Sequence, residues 1–331
     1  MNHPVSFRGT AKEYFGIWIV NTMLNVITLT AYSAWAKVRK RKYFAENIYL
    51  DGEPFEYLAN PWALFRGWLI AASAFVLYAA AKHFNVVLAG VLGLIITLLI
   101  PWVVVKSQIF NARNTAYRNI RFSFAPNYSE AYSILLGYWL LAMITLGLLA
   151  PYAIYRQNRF FVENRSYGAT PFRFTASAGD FYIIFLKMSL WLVCGAVALS
   201  IVGVLLFMVG QKILIFVLSA LAYLLLFAFY KTAIMNLVWN GTELGDLTFS
   251  SSMAPLTVFW LYLSNAVGVV LSLGLLSPWA KVRLTNYRCE TLTVCSREGI
   301  GQFIADMTPV TVGALGEEIG DMFGWDMEIG F

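Results

Sequence analysis

The sequence predicts an all-α polytopic membrane protein. It has about seven transmembrane helices in tandem three-span, inverted repeats, with basic interfacial helices and short extramembrane strands. Three observations predict it. The chain is 59% hydrophobic and 13% charged, with mean hydropathy +0.65, whereas soluble domains are about 45–50% apolar and about 25% charged. Its charges are clumped: no Asp, Glu, Lys or Arg occurs in 14–36, 131–155, 188–211 or 247–280. A basic box, Ala34-Trp35-Ala36-Lys37-Val38-Arg39, returns as Pro278-Trp279-Ala280-Lys281-Val282-Arg283.

The apolar runs place spans at about 13–33, 62–81, 86–106, 131–150, 183–209, 213–231 and 256–277. Runs of this length can cross a hydrocarbon core of about 30 Å. They are read as helices, because an open strand leaves its backbone unsatisfied in lipid. Many of the 11 Trp, 18 Tyr and 25 Phe stand at run edges, as interfacial belts require. Pro101, Pro151 and Pro278 sit near span ends, where a helix can stop or restart. The first apolar run lacks a small-residue cleavage site and reads as a retained span. Alternating pieces at Val5-Ser6-Phe7, Phe55/Tyr57, Arg121–Phe124, Phe172/Phe174 and Leu247-Thr248-Phe249 read as short strands with one covered face.

The box has a thinner relative. Tyr43-Phe44-Ala45-Glu46-Asn47 matches Phe160-Phe161-Val162-Glu163-Asn164, and Arg39 then matches Arg156. Lys106–Asn111 resembles Lys231–Asn236. The chain therefore divides into a repeat at 1–126, a second at 127–250, a half repeat at 251–289 and an acidic tail at 290–331. An odd number of spans per repeat inverts the middle one. Its poverty in cations fits that, with the amino terminus outside and the tail cytoplasmic. The competing arrangement makes the single spans re-entrant, with every box cytoplasmic.

Trp35 to Asn47 with its flanks Gly16–Asn21 and Asp51–Tyr57, the later Leu276–Arg283, and Ala314–Phe323 resemble the YjgN-like family of bacterial inner-membrane proteins. The resemblance covers essentially the whole chain. It implies location and architecture; the family carries no assigned activity and no catalytic residues. Ala34 stands where the other boxes have Pro, and Thr291 stands where Asn47 would match.

No phosphate-cradling GxxxxGK[ST], no GxSxG and no HExxH occurs, so no catalytic residue is proposed. Cys194, Cys289 and Cys295 form no CxxC and lie far from His3 and His83, so neither a metal nor a cofactor is expected. No span holds a central carboxylate, which disfavours proton coupling. Two constellations remain. Asn21, Asn25 and Asn265 are intramembrane amides, read as interhelical hydrogen-bonding groups or the lining of a path. In the boxes, Trp35 and Trp279 flank Lys37, Arg39, Arg41, Lys281 and Arg283, which anchor topology or hold anionic lipid. The expected partners are anionic membrane lipids and a protein at the acidic tail. Nucleic acid is excluded, since lipid phosphate would compete. The expected function is transport or a channel for a small anionic or amphipathic molecule or lipid, motivated by the inverted repeat. The alternative is a membrane scaffold or regulator that docks a partner through its strands and tail.

Overall fold

Three short helical returns, two long helical hairpins and ten short strands replace the seven-span arrangement. The computed structural model describes residues 1–297 and 299–300. The order runs β1 (Asn2–Phe7), α1 (Ala11–Ile27), α2 (Ser33–Glu46), β2 (Ile48–Leu50), β3 (Glu53–Tyr57), α3 (Pro61–Phe84), α4 (Val86–Arg113), β4 (Thr115–Tyr117) and β5 (Ile120–Phe124). It continues with α5 (Tyr128–Tyr132), a π-helical stretch (Ser133–Gly137), α6 (Tyr138–Ile144), α7 (Ala150–Glu163), β6 (Arg165–Tyr167) and β7 (Thr170–Phe174). It ends with α8 (Ala178–Met208), α9 (Lys212–Asn240), β8 (Thr242–Leu244), β9 (Leu247–Ser251), α10 (Pro255–Leu271), α11 (Ser277–Glu290) and β10 (Leu292–Cys295).

The strands close into one antiparallel barrel in the order β1-β10-β9-β8-β7-β6-β5-β4-β3-β2. The predicted alternating pieces are β1, β3, β5, β7 and β9. Each of the other strands follows a basic or amide-rich helix end, and the sequence reading missed them. Tight turns join the pairs: Asp51-Gly52 and Arg118-Asn119 both lie at positive φ, the two-residue geometry that matches strand twist. No strand exceeds six residues, and a membrane-crossing strand needs about 9–11. The barrel is therefore a cap to the helices, not a pore through lipid.

Its inside is filled. Phe55, Phe122, Phe172 and Phe249 form a ladder of ring contacts at 6.4, 6.4 and 6.3 Å, and Val5 occupies the same register position on β1. Leu50, Tyr117, Tyr167, Leu244 and Val294 make a second layer, all buried. The Tyr167 hydroxyl donates to the Tyr117 carbonyl at 2.8 Å, and the Tyr117 hydroxyl donates to the Leu50 carbonyl at 2.7 Å. These bonds strut neighbouring hairpins across the interior.

One backbone bond fastens each helix pair to the ring. The residue after each odd strand donates its N–H to the carbonyl that ends a helix: Arg8 to Asn47, Leu58 to Asn114, Ala125 to Asn164, Thr175 to Gly241 and Ser252 to Thr291. Three residues beyond each odd strand stands the next N-cap: Thr10, Asn60, Asn127, Ser177 and Ala254. Four of the five carry a side chain that accepts a helix N–H, the interaction that fixes a helix start.

The seven-span, all-α, inverted prediction is thereby corrected. Four helices are long and apolar enough to cross a membrane: α3, α4, α8 and α9. The runs at 13–33, 131–150 and 256–277 break before their ends. α1 stops at Ile27, α6 at Ile144 and α10 at Leu271, and the chain turns back through positive-φ pairs Leu29/Thr30, Leu146/Gly147 and Leu273/Gly274. Every unit now contains two helix arms, so the chain returns to the same barrel each time and no unit is inverted. The amino-terminal strand pairs with β10, which puts both on one side. The acidic tail beyond residue 300 lies outside the described residues.

Tyr117→Phe and Tyr167→Phe each delete one strut and leave a buried carbonyl short of a donor; each should lower stability by about 1 kcal/mol in detergent melts. Burial pushes the Tyr117 phenol up to about 12 from 10.0. The neutral phenol is thus the favoured folded form. Its contribution is complete below pH 10 and should fade as pH rises toward 12, a loss absent from Tyr117→Phe.

Candidate functional site

The three short returns share one design. At their apices Thr28, Thr145 and Ser272 each bridge two helices. Each hydroxyl donates back to the helix it ends, to Leu24, Leu141 and Val269, and accepts the N–H of Tyr32, Leu149 and Leu276 at the start of the next. Through Thr28–Ser33, Thr145–Ala150 and Ser272–Ser277 every backbone N–H finds an internal acceptor. The tips are Leu29, Leu146 and Leu273, exposed by 85, 95 and 94%. A leucine at positive φ is costly, and here it holds an apolar tip outward over a backbone with no unmet donor. The repeated Leu-Gly-Leu-Leu of 146–149 and 273–276 carries this signal in the sequence, where it was read as the inside of a span.

The predicted box residues do not converge on a single site; each packs on its neighbour around the ring. Trp35 stacks on Tyr32 and meets Trp62 and Phe65 of α3 at 5.0 and 5.2 Å. Arg41 donates to Asn111 of α4 and, at 3.1 Å, to the Tyr57 hydroxyl. Lys37 is half-buried, and Arg39 is exposed. Arg283 lies over the Trp279 ring at 5.1 Å and donates to Ser264 at 2.6 Å and to Asn265 at 3.5 Å. Lys281 stands over Phe44 of α2 at 5.6 Å, so the first and last boxes are neighbours. Of the amides, Asn265 also donates to the Ala280 carbonyl, while the buried Oδ1 atoms of Asn21 and Asn25 have no partner. Arg156, equivalent to Arg39 and Arg283, pairs with Glu130 at 3.1 Å.

Sequence reasoning missed Arg165. It stands where the equivalent strand positions hold Ile48, Thr115, Thr242 and Leu292, on the barrel-facing side of β6. Its guanidinium donates to Gln108 of α4, itself buried, at 2.9 Å. Burial pulls its pKa down to about 10. Arg41, Arg165 and Arg283 thus form a belt around the ring of helices and strands, each donating to neutral oxygens of a neighbouring element. Such a belt can hold an anion by charge-assisted hydrogen bonds. Among the described residues no cluster of His, Cys, Asp or Glu could hold a metal.

Arg165→Met alone strands the Gln108 amide and should cost about 1–3 kcal/mol, whereas Gln108→Leu/Arg165→Met together should recover most of it, since removing both partners is nearly neutral. A double-mutant cycle on melting temperature reads this directly.

A family described as "Bacterial protein of unknown function (DUF898)" matches residues 2–322. The chain is 25% identical over 352 residues to "Inner membrane protein YjgN" of Salmonella typhimurium strain LT2, a match covering 88% of each. It is 29% identical over 124 residues to proteins of the same name in Escherichia coli O157:H7 and K12, covering 37% of this chain and 31% of those. No solved structure matches. The chain belongs to the DUF898 family of bacterial proteins of unknown function.

Proposed function

We propose that the chain is a multi-pass protein of the inner membrane that binds and moves an anionic amphiphile, a lipid rather than a water-soluble solute. The observation that carries this is the trio of leucine tips. A turn with every N–H satisfied and an apolar apex is suited to hydrocarbon, where an unmet donor costs several kcal/mol. On this reading α3–α4 and α8–α9 cross the bilayer. The three short hairpins dip in and return, and barrel and tail face the cytoplasm, where the densest cation box, Lys37–Lys42, favours them. Hairpins that stop short, set between full spans, strain and thin the lipid beside them. Thin lipid beside an arginine belt lowers the barrier for a charged headgroup. A solute path has less support, because the long helices expose broad apolar faces. The scaffold alternative loses one element, since a closed barrel offers no strand edge to a partner.

Two measurements test it. Reporter fusions after residues 128 and 180 should both report the cytoplasm; a periplasmic signal at either would end the re-entrant topology. In liposomes, the purified protein should expose fluorescent inner-leaflet phosphatidylglycerol to an external quencher within minutes. Leu146→Asp/Leu273→Asp should slow this at least tenfold. Quenching limited to the outer leaflet would leave the scaffold reading.

A further inference from the structure

α9, α10 and α11 meet along a narrow surface crevice whose floor is apolar (Met235, Met253, Val258, Leu284) and whose polar wall is Lys231, Thr232, Tyr262, Tyr287 and Arg288. Thr232 is only 2% exposed, and its Oγ1 has no hydrogen-bond partner. Other hydroxyls on these long helices fold back on the carbonyl four residues earlier: Ser73 on Leu69, Thr97 on Gly93, Ser200 on Ala196 and Ser219 on Ile215. Thr232 forgoes that bond on the crevice wall. Lys231 and Arg288 are half-buried in the same wall, and among the described residues neither pairs with a carboxylate. Tyr287 is otherwise engaged, accepting the Ala254 N–H at 2.8 Å.

Two half-buried cations and an orphan buried hydroxyl on one wall are best satisfied by an anion with hydrogen-bond acceptors. We infer that this crevice binds the phosphate of a membrane lipid headgroup, with Lys231 and Arg288 supplying charge and the Thr232 hydroxyl donating to a phosphate oxygen. The source is lipid because of depth. No Asp, Glu, Lys or Arg lies between Ile213 and Tyr230, so Lys231 is the first charge at the end of a run long enough to cross the hydrocarbon. The inference rests on the membrane placement proposed above and names a site the belt arginines do not include.

The test uses the full-length protein in detergent, with native mass spectrometry and thermal melts against dioleoyl phosphatidylglycerol, dioleoylglycerol as the phosphate-free match, and inorganic phosphate. The wild type should bind phosphatidylglycerol and ignore dioleoylglycerol. Lys231→Gln/Arg288→Gln should weaken binding at least tenfold. Thr232→Val should weaken it several-fold while leaving the lipid-free melting temperature unchanged or higher, which a structural role for the hydroxyl would not allow. Lys12→Gln, on the exposed surface of α1, should change nothing. Equal affinity in the wild type and the double variant overturns the site. Equal protection by millimolar inorganic phosphate, with the same sensitivity to the variants, overturns the lipid source. Lipid binding here without flipping in liposomes would defeat the transport reading and leave this site standing; flipping with normal binding by the variants would do the reverse.

Discussion

One backbone hydrogen bond, made five times, sets the rest of the structure. The N–H after each odd strand meets the carbonyl that ends a helix, from Arg8–Asn47 around to Ser252–Thr291. It joins the two feet of each helix pair, the residue that leads into the pair and the residue that ends it. With β1 paired to β10 the ring has no edge, so every helix pair must leave the barrel and come back to it. That closure excludes inversion of any unit and gives the short pairs no option but to turn. Aromatic layers inside, from Phe55 to Phe249 and from Tyr117 to Tyr167, supply the burial that strands of three to six residues could not gain as an open sheet.

The turning points show how the chain meets the next constraint. A helix end leaves backbone groups unmet, and hydrocarbon offers none to pair with them. Thr28, Thr145 and Ser272 solve this locally by serving two helices with one hydroxyl. The conformation then costs positive φ at a leucine, and that leucine becomes the tip. Strain and exposure fall on the same residue in all three hairpins, which links the local geometry to a membrane role. Away from these tips, Arg41, Arg165 and Arg283 donate to amide or hydroxyl oxygens of neighbouring elements.

Part of this was legible in the chain. The odd strands show as alternating Phe and polar residues, and Pro151 and Pro278 stand in the first turns of α7 and α11. The even strands were hidden because three residues cannot show a period. The correspondence drawn between Lys106–Asn111 and Lys231–Asn236 is two residues out of the structural register, since the carbonyls of Asn114 and Gly241 occupy equivalent places. Asn111 and Asn236 nonetheless do similar work, the first accepting from Arg41 and the second holding Ser251 and Met253. Of the candidate site, the pairing of Arg283 with Asn265 joins residues both singled out in the sequence. Arg165 and Thr232 were invisible, since one looked like an ordinary surface cation and the other like a helical hydroxyl.

By itself the sequence determined the apolar content and the spacing of the basic boxes, because these follow from composition and local periodicity. Only the tertiary structure decided that three of the apolar runs turn back. Their length permits a crossing, and the Leu-Gly-Leu-Leu in two of them does not by itself impose a turn. The decision comes from ring closure: pairings between residues as distant as His3 and Val294 fix where each helix pair must end, and a chain cannot cross a bilayer once and still finish beside its start.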